Sequence, residues 1–468
     1  MSNTNKTKYL LKNMGLLTIS NFASRILVFL LVPLYTSVLT TAEYGAYDLG
    51  ISTASLLYPI LTLNIVDAVM RFTMDKSYAK DEVASIGFRY VSFSCIIAGA
   101  FLAILFKFGI WQDIHGLEGY VFLYYISYVF NQFFIQLSKG LERVTDMAVS
   151  GVISTIVMIS TNLLFLLIFR LGLQGFFVAN IISQVVSICF FCIRLKAWRY
   201  LHFSKTNKEL STAMLTYCVP LIAATLGWWV NSTSDKYIVA FLCGVSANGI
   251  LSVSYKIPQI INTFQSIFIQ AWQITAIIEY GENDTKSFYG NTFGVINLLM
   301  CMACSWLILL TKPLATLLFA NDFYEAWKYG PFLLISSVLN CASGLLGPIL
   351  SAKKNSKAMM WSAIIGAGSN VVLNVILVFC WGIQGATIAT VFSSYIIYWI
   401  RKKAVADDIF INQYPTIVIT WILLCIQAVI EITKLSVLIE LLLMIIMLIL
   451  NKRRVFELVD SLKRVITK

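Results

Sequence analysis

The sequence predicts an all-α polytopic membrane protein with fourteen transmembrane helices. Of the 468 residues, 59% are hydrophobic and only 12% are charged, whereas soluble proteins carry about 45–50% apolar and about 25% charged residues. A soluble chain of this size could not bury so much apolar surface, which excludes soluble, disordered, fibrous and nucleic-acid-binding proteins. The apolar runs are long and unbroken, so they favour helices over an outer-membrane barrel, whose strands alternate in polarity over about 10 residues.

Each predicted helix is a stretch of mostly apolar residues, and about 20 such residues cross roughly 30 Å of hydrocarbon. The fourteen stretches lie near 15–39, 46–70, 84–109, 119–138, 149–169, 174–193, 213–234, 248–276, 288–310, 329–351, 358–380, 384–400, 413–432 and 435–450.

The basic residues predict how the chain is oriented in the membrane. An even number of spans places both termini on one side, and the loops and tails of that side hold about 26 of the 35 Lys and Arg residues. Because cytoplasmic loops are rich in basic residues, both termini are predicted to be cytoplasmic. The polar, basic start of the chain does not resemble a cleavable signal peptide.

The connections between the spans are short, and the longest outer one lies near 311–328. They leave no room for an extramembrane catalytic domain. Residues 452–468 carry apolar side chains on one helical face with Lys and Arg residues nearby. This pattern indicates either an amphipathic helix on the anionic inner leaflet or a solubilising basic tail.

A short motif occurs twice. Residues 171–183 read LGLQGFFVANIIS and residues 381–393 read WGIQGATIATVFS, with Gly, Gln, Gly, Ala and Ser at matching places. Each copy precedes an even-numbered span, so the implied unit is six helices used twice in the same orientation. The predicted domains are an N-lobe of spans 1–6 (1–211), a C-lobe of spans 7–12 (212–403), spans 13 and 14 (404–451) and the basic tail (452–468).

The sequence lacks common catalytic and nucleotide-binding motifs. It has no GxxxxGK[ST] phosphate loop, and its two histidines, His115 and His202, are predicted on opposite sides of the membrane. The ten cysteines lie in or at the ends of apolar spans and fit small apolar residues better than metal ligands. We therefore expect a protein that is not an enzyme and that holds neither a structural metal nor an organic cofactor.

Polar residues within the first two spans are candidates for function. A charge near the bilayer centre costs at least about 2.5–3.5 kcal/mol, so it usually faces a cavity or a partner. Arg25 lies near the middle of the first span, and Asn21 lies one turn before it. Arg25 is predicted either to line a cavity and contact an anionic substrate, or to form a structural ion pair with Asp48 or Asp67. Asp67 can also pair with Arg71, four residues on.

The third and fourth spans add further candidates. Arg89 lies nearer the cytoplasmic end of its span, so it either lines the cavity or extends to the membrane surface. Asn131, Gln132 and Gln136 of the fourth span are predicted to line the same space.

The eighth span has the clearest polar face. At 100° per residue, five polar side chains fall within an arc of about 120°. They are Lys256, Gln259, Asn262, Gln270 and Gln273. Such a face is costly against lipid, so it either lines a wet cavity or forms hydrogen bonds between helices. Pro258 predicts a kink or break in this span.

Two pairs of polar residues could bind a coupling cation. Asn231 and Asp235 are four apart in the seventh span, and Asn370 and Asn374 are four apart in the eleventh. A carboxylate with amide oxygens suits Na⁺, and a lone carboxylate suits H⁺. The alternative is a surface pair of Asp235 with Lys236.

Two blocks of sequence carry a family resemblance. Residues 24–50 read SRILVFLLVPLYTSVLTTAEYGAYDLG, and residues 234–258 read SDKYIVAFLCGVSANGILSVSYKIP. With the paired LQG and IQG turns, they resemble the polysaccharide-transporter family of lipid-linked oligosaccharide flippases. That family belongs to the multidrug/oligosaccharidyl-lipid/polysaccharide exporter superfamily. The resemblance extends over the whole chain in length, span count and repeat.

The resemblance implies a fold and a set of sites. Two six-helix lobes would form a V around a cavity that opens to one side at a time. Arg25 matches the first-helix Arg of the family's SR-x-x-x-F/L pattern, a contact for diphosphate or acidic sugar. By likeness to lipid II flippases, spans 13 and 14 would form a groove for the lipid tail. Asp235, Asn370 and Asn374 would correspond to a cation site of the second lobe.

The resemblance also implies a function. The chain would be a multi-pass flippase of the bacterial inner membrane that moves undecaprenyl-diphosphate-linked oligosaccharides from the inner to the outer leaflet. The products would be O-antigen of lipopolysaccharide, capsule or a similar polymer, with polymerase and glycosyltransferases as partners. An ion gradient of Na⁺ or H⁺, or consumption of the product, would supply the energy. Alternatives are a lipid II flippase, a multidrug or cation exporter of the same fold and, more distantly, a membrane polymerase or ligase.

Overall fold

The computed structural model describes residues 26–108, 116–202, 207–281, 284–411 and 413–455. Within these ranges the regular elements are helices, and no strand occurs. The predicted all-α class is therefore confirmed.

The helices follow the order of the predicted spans. Those of the first half are α1 (Val32–Val38), α2 (Thr41–Leu61), α3 (Ile65–Met74), α4 (Lys80–Lys107), α5 (Glu118–Gly140), α6 (Val144–Leu163), α7 (Gly172–Leu195) and α8 (Lys208–Cys243). Those of the second half are α9 (Val245–Ser254), α10 (Pro258–Ile278), α11 (Thr285–Leu309), α12 (Thr311–Leu318), α13 (Gly330–Ala352), α14 (Ser356–Trp381), α15 (Ile383–Ala404), α16 (Tyr414–Thr433) and α17 (Val437–Leu450).

Each predicted span from the second to the fourteenth coincides with a helix or a helix pair of the described residues, and the described part of the first span contains α1. Nine of these helices are long and apolar enough to cross a membrane, and the bent pair α2 and α3 makes a tenth span. Three other predicted spans coincide with α5, the pair α9 and α10, and α17, and α1 lies at the end of the first predicted span. These helices are shorter or less apolar than the nine.

The second predicted span is broken. Helices α2 and α3 meet at an angle of 59°. Leu63 and Asn64 between them have φ values of 50° and 53°, a left-handed backbone that ends a right-handed helix. Pro59 lies in the last turn of α2. The uninterrupted helix predicted over 46–70 is therefore wrong in this detail.

The eighth predicted span is also broken, and here the sequence predicted the place. Helix α9 ends at Ser254, and α10 begins at Pro258. Proline suits the first helical position because the N–H that it lacks would have no partner there.

The two copies of the repeated motif form turns of the same kind. Gly172 has φ 54° and Gly382 has φ 57°, and each lies at the N-terminus of the helix that follows, α7 or α15. A positive φ favours glycine because it has no Cβ. This local geometry agrees with the repeat read from the sequence.

The chain forms two compact units that divide between Trp229 and Val230, within helix α8. The boundary predicted at 211/212 lies near the start of that helix instead. Leu210, Met214 and Cys218 of α8 belong to the core of the first unit, together with residues of α3, α4, α5 and α7. The first half of the seventh span therefore folds with the first unit, which the repeat alone did not indicate.

The predicted basic tail lies mostly outside the described residues, which end at Val455. Its beginning is packed against the second unit. The guanidinium group of Arg454 is buried and donates a hydrogen bond to Asn451 Oδ1 at 3.3 Å. A Cβ atom on Gly294 of α11 would lie 2.9 Å from Arg454 Nε. At least this arginine therefore packs into the fold and does not lie free on a surface.

A charged cluster joins helices α6 and α7 at the end that carries the basic loops. The buried Asp146 accepts hydrogen bonds on Oδ1 from Arg194 Nε at 3.1 Å and Nη2 at 3.0 Å. Arg143 Nη1 lies 3.4 Å from the other oxygen, Oδ2, and donates to the main-chain oxygen of Arg194 at 2.9 Å. One carboxylate thus holds two arginines in place.

Replacement of Asp146 by alanine is expected to lower the free energy of unfolding of the first unit by about 1–2 kcal/mol, because charge-assisted hydrogen bonds are lost. Thermal unfolding of the purified protein in detergent measures this. Asp75→Asn is the control, since the Asp75–Arg71 pair is exposed and its atoms are 3.9 Å apart. Equal stability of the Asp146→Ala protein and the native protein would contradict the prediction.

Candidate functional site

The predicted substrate residues of the first span, Arg25 and Asn21, lie outside the described residues. Arg89 lies on α4, where its Nε is 3.4 Å from the main-chain oxygen of Ser85. That side chain is partly buried near the start of the helix.

The polar residues of α5 take part in hydrogen bonds between helices. Asn131 Oδ1 accepts a hydrogen bond of 2.7 Å from Ser187 Oγ of α7. Ser187 Oγ is also 2.7 Å from Ser150 Oγ of α6, so Asn131 belongs to a hydrogen-bonded chain through three helices. Gln132 is partly buried on the same helix and lies close to Tyr128. The structure gives Asn131 a role in packing in addition to any contact with substrate.

Asp67 does not form the predicted pair with Arg71. Its Oδ2 accepts a hydrogen bond from Asn64 Nδ2 at 2.8 Å, and its Oδ1 accepts one from Gln136 Nε2 at 2.9 Å. Arg71 lies near Asp75 instead. The break between α2 and α3 brings Asn64 to Asp67, and sequence spacing alone could not indicate this.

The predicted polar face of the eighth span is exposed. Gln259, Asn262, Gln270 and Gln273 of α10 are exposed, and Lys256 before the helix is partly exposed. The opposite face packs into the second unit through Ile257, Ile261 and Trp272, and Trp272 Nε1 donates to the main-chain oxygen of Leu345 at 2.9 Å. Because the four amides are exposed, they fit the lining of a wet space better than hydrogen-bonded contacts between helices.

Two of the predicted cation residues, Asn370 and Asn374, lie in a buried cluster of polar side chains. Ser234 Oγ of α8 donates to Asn370 Oδ1 of α14 at 3.1 Å, and Asn370 Nδ2 donates to Ser393 Oγ of α15 at 3.1 Å. Asn374 Nδ2 donates to Asn370 Oδ1 at 3.1 Å. Three helices therefore meet at Asn370.

Asp235 lies next to Ser234 and is buried, with 4% of its surface exposed. The hydroxyl of Tyr255 donates a hydrogen bond to Asp235 Oδ2, and the main-chain N–H of Lys236 donates to Oδ1 at 3.0 Å. Tyr255 lies in the break between α9 and α10, so this carboxylate is linked to the segment that precedes the polar face of α10. A surface position for Asp235 is ruled out.

Two amide oxygens of the predicted cation residues are buried without a hydrogen-bond partner, Asn231 Oδ1 and Asn374 Oδ1. A buried acceptor without a partner is costly and needs an explanation. A carboxylate and several uncharged oxygens are the ligands that a hard cation prefers. Asn231, Asp235, Asn370 and Asn374 therefore fit a small cation by the chemistry of their atoms.

The sequence did not single out Ser234, Ser393 or Tyr255. A signal was present for Ser393, because it is the last matching residue of the repeated motif and corresponds to Ser183. Ser234 and Tyr255 lie within the second block that carries the family resemblance.

A family model described as polysaccharide biosynthesis protein matches residues 10–273, which is more than half of the chain. No curated protein matches the sequence.

Solved structures share the fold across nearly the whole chain. A lipid II flippase MurJ in an inward closed conformation has a TM-score of 0.71 at 17% identity and covers 95% of this chain and 99% of its own. An inward-facing multidrug resistance MATE family transporter of the MOP superfamily has a TM-score of 0.65 at 14% identity, covering 84% and 95%. A MOP superfamily transporter from Pyrococcus furiosus has a TM-score of 0.59 at 13% identity, covering 84% and 96%.

The chain belongs to the polysaccharide biosynthesis protein family. It is a multi-pass membrane protein with the fold shared by these transporters.

Proposed function

We propose that the protein is a flippase that moves undecaprenyl-diphosphate-linked oligosaccharide repeat units from the inner to the outer leaflet of the bacterial inner membrane. The products would be O-antigen, capsule or a similar polysaccharide. The observation that carries the proposal is the exposed row of four amides on α10 in a chain of the polysaccharide biosynthesis family. Amides both donate and accept hydrogen bonds, as sugar hydroxyls require.

The proposed mechanism is alternating access. The sugar and diphosphate would enter a polar cavity while the prenyl chain stays in lipid. Arg25 and Arg89 would supply positive charge for the diphosphate. Lys256 and the amides of α10 would contact sugars, with Asn131 and Gln132 on the first unit. Glycosyltransferases would assemble the repeat unit before transport, and a polymerase would act after it.

The cation cluster would couple transport to an ion gradient. Asn231, Asp235, Asn370 and Asn374 would bind Na⁺ or H⁺. The hydrogen bond from Tyr255 to Asp235 supports a connection with α10. A cation can shift the equilibrium between the two conformations of alternating access only if it binds one of them more tightly than the other. The hydrogen bond between Tyr255 and Asp235 would connect this difference to α10.

The proposed orientation places both termini in the cytoplasm. The basic loops support it, and the cluster of Arg143, Asp146 and Arg194 lies at that end of the first unit. The inner membrane of a bacterium is the corresponding location.

Lipid II flipping is the second candidate, favoured by the TM-score of 0.71 with a lipid II flippase. Multidrug export is a third, favoured by the fold shared with multidrug transporters. A polymerase or ligase remains a distant alternative, since the family and fold neighbours are named as transporters and a biosynthesis protein.

Expression in three kinds of cell tests the proposal. Cells that lack their own oligosaccharide flippase are expected to regain surface polymer. Rescue of cells depleted of lipid II flippase, without restored polymer, would favour the second candidate. Drug resistance alone would favour the third. Formation of new glycosidic bonds by the purified protein on lipid-linked oligosaccharide would favour an enzyme.

Replacement of Gln270 and Gln273 together by leucine is expected to lower surface polymer by about tenfold, because two or more sugar hydrogen bonds at about 0.5–1.5 kcal/mol each would be lost. Quantitative blotting of the polymer measures this at equal protein level. The control is Asn291→Leu, an exposed amide on α11. Normal polymer in the double variant would contradict a role of this face in substrate contact.

A further inference from the structure

The second unit has a pocket at the junction of α12, α16 and α17, apart from the residues discussed so far. Its volume is about 260 Å³. Its lining includes Lys312, Tyr324, Trp327, Glu431, Lys434 and Glu440. These residues lie at the ends of the helices opposite to the basic loops, which is the outer side in the proposed orientation.

Two glutamates at this pocket are almost completely buried. Glu431 near the end of α16 is 3% exposed, and Glu440 in the first turn of α17 is 1% exposed. Lys312 Nζ lies 3.2 Å from Glu431 Oε2 and donates to the main-chain oxygen of Glu431 at 3.1 Å. Glu431 therefore has its own cationic partner.

Glu440 faces Glu431 and an amide. It lines the same pocket as Glu431, and its Oε2 is 3.5 Å from Gln427 Nε2. The Gln427 amide is fixed by Ser305 of α11, which donates to Oε1 at 2.6 Å and accepts from Nε2 through its main-chain oxygen at 3.0 Å. Gln427 is thus held with its N–H groups toward Glu440.

One oxygen of the Glu431 carboxylate has no hydrogen-bond donor. Glu431 Oε1 is buried and has no hydrogen-bond partner, although Glu431 lines the pocket. Two ionised carboxylates offer only acceptors to each other, so neither can satisfy this oxygen. A single proton on the pair would supply the missing donor and also remove one buried negative charge.

The charged groups around the pair favour one proton. Lys312 of α12 lies against Glu431, and Lys434, which follows α16, is exposed at the pocket. Tyr324 of the segment before α13 lines the same space, and α11 contributes only the neutral Ser305. Lys312 and Lys434 lie 4.7 Å and 5.7 Å from the centre of the Trp327 ring. Because the positive charge of Lys312 compensates the negative charge of Glu431, a proton would neutralise the second carboxylate, that of Glu440.

We propose that Glu431 and Glu440 form a binding site for one proton, which exchanges with water through this pocket and holds the outer end of α17 against α16. The site is separate from the proposed cation cluster of Asp235 and does not depend on the substrate assigned above. Loss of the proton would place two negative charges against each other, and the contact between the two helices would weaken.

Infrared spectra of the full-length protein in lipid bilayers test the site directly. A protonated carboxyl group has a carbonyl stretch that an ionised carboxylate lacks. At neutral pH, the difference between the native protein and Glu440→Gln is expected to show the loss of one such group, and Glu431→Gln is expected to show the same. The control Glu325→Gln, at the exposed pair with Lys328, is expected to lose none. Unchanged carboxyl absorption in both Glu431→Gln and Glu440→Gln would overturn the proposal.

Hydrogen–deuterium exchange tests the consequence for α17. Between neutral and alkaline pH, exchange at the start of α17 in the native protein is expected to rise about tenfold beyond the intrinsic change, which corresponds to 1.4 kcal/mol. Glu440→Gln is expected to abolish this excess, because an amide supplies the donor at every pH. A native excess that persists in Glu440→Gln would overturn the link between the proton and the helix contact.

Discussion

Cells that carry Asp235→Asn in place of the native protein are expected to lose at least about nine-tenths of their surface polymer, because loss of one charge–cation contact worth 1.4 kcal/mol already lowers affinity tenfold. The substitution removes the negative charge of the buried cluster and changes little else. Asparagine has nearly the same size, and its oxygen can still accept a hydrogen bond from Tyr255 or from the Lys236 N–H. The effect should therefore be on cation binding rather than on folding.

Binding measurements separate these two explanations. In the native protein, millimolar Na⁺ is expected to raise the temperature of unfolding if Na⁺ is the coupling ion, since a ligand that binds only the folded state stabilises it. The Asp235→Asn protein should unfold at the native temperature without Na⁺ and show no rise with it. Asp322→Asn, an exposed carboxylate on the same unit, is the control and should behave as the native protein. Normal polymer in Asp235→Asn would rule out coupling through this carboxylate.

A proton as the coupling ion gives a different outcome. The native protein would then show no effect of Na⁺, and polymer formation would fall when the proton gradient is collapsed. The Asp235→Asn variant would still fail, because it cannot gain and release a proton.

The helices could be predicted from the sequence because the membrane imposes a simple condition. A span must be long and apolar and must satisfy its own main-chain hydrogen bonds, so hydropathy located the ten spans that the described residues support by length and composition. The breaks were harder to predict. Pro258 marked one of them, but the left-handed backbone at Leu63 and Asn64 has no proline or glycine at the break itself. There α3 packs against α4 and α5, and these contacts between helices cannot be read from one stretch of sequence.

The candidate sites could be predicted only in part, because the sequence gives spacing along one helix and not contacts between helices. The four-residue spacing correctly placed Asn370 beside Asn374. It did not indicate that Ser234 and Ser393 would join them from two other helices. The pairing of Glu440 with a second carboxylate is also a contact between helices, although a carboxylate within the run VLIELLLMIIMLIL already indicates that it needs a partner.

The glycines of the repeated motif offer a test of the fold. At Gly385 in the first turn of α15, a Cβ atom would lie 2.0 Å from the main-chain oxygen of Leu377 and 2.2 Å from its carbonyl carbon. At Gly175, the matching position in the first turn of α7, the nearest atoms are Leu171 Cβ at 2.9 Å and Phe165 Cβ at 3.0 Å. A methyl group added to the shared glycine would therefore overlap main-chain atoms in the second copy of the motif and mainly Cβ atoms in the first.

Gly385→Ala is therefore expected to be the more damaging of the two substitutions. The main chain of α14 cannot move aside without shifting the helix, so the expected loss is about 4 kcal/mol or more, the range of the exceptional single substitutions. At Gly175 the added Cβ would overlap less, with contacts of 2.9 Å and 3.0 Å to two Cβ atoms, and a loss of about 1–3 kcal/mol is expected, as for ordinary overpacking.

Thermal unfolding of the purified variants in one detergent measures the order. Gly368→Ala of α14 is the control, because nothing lies within 4 Å of its added Cβ, and alanine there should stabilise the helix by about 0.5–1 kcal/mol. The expected order of stability is Gly368→Ala, native, Gly175→Ala, Gly385→Ala. If Gly385→Ala is as stable as Gly175→Ala, then α14 and α15 do not approach as closely as the structure has them.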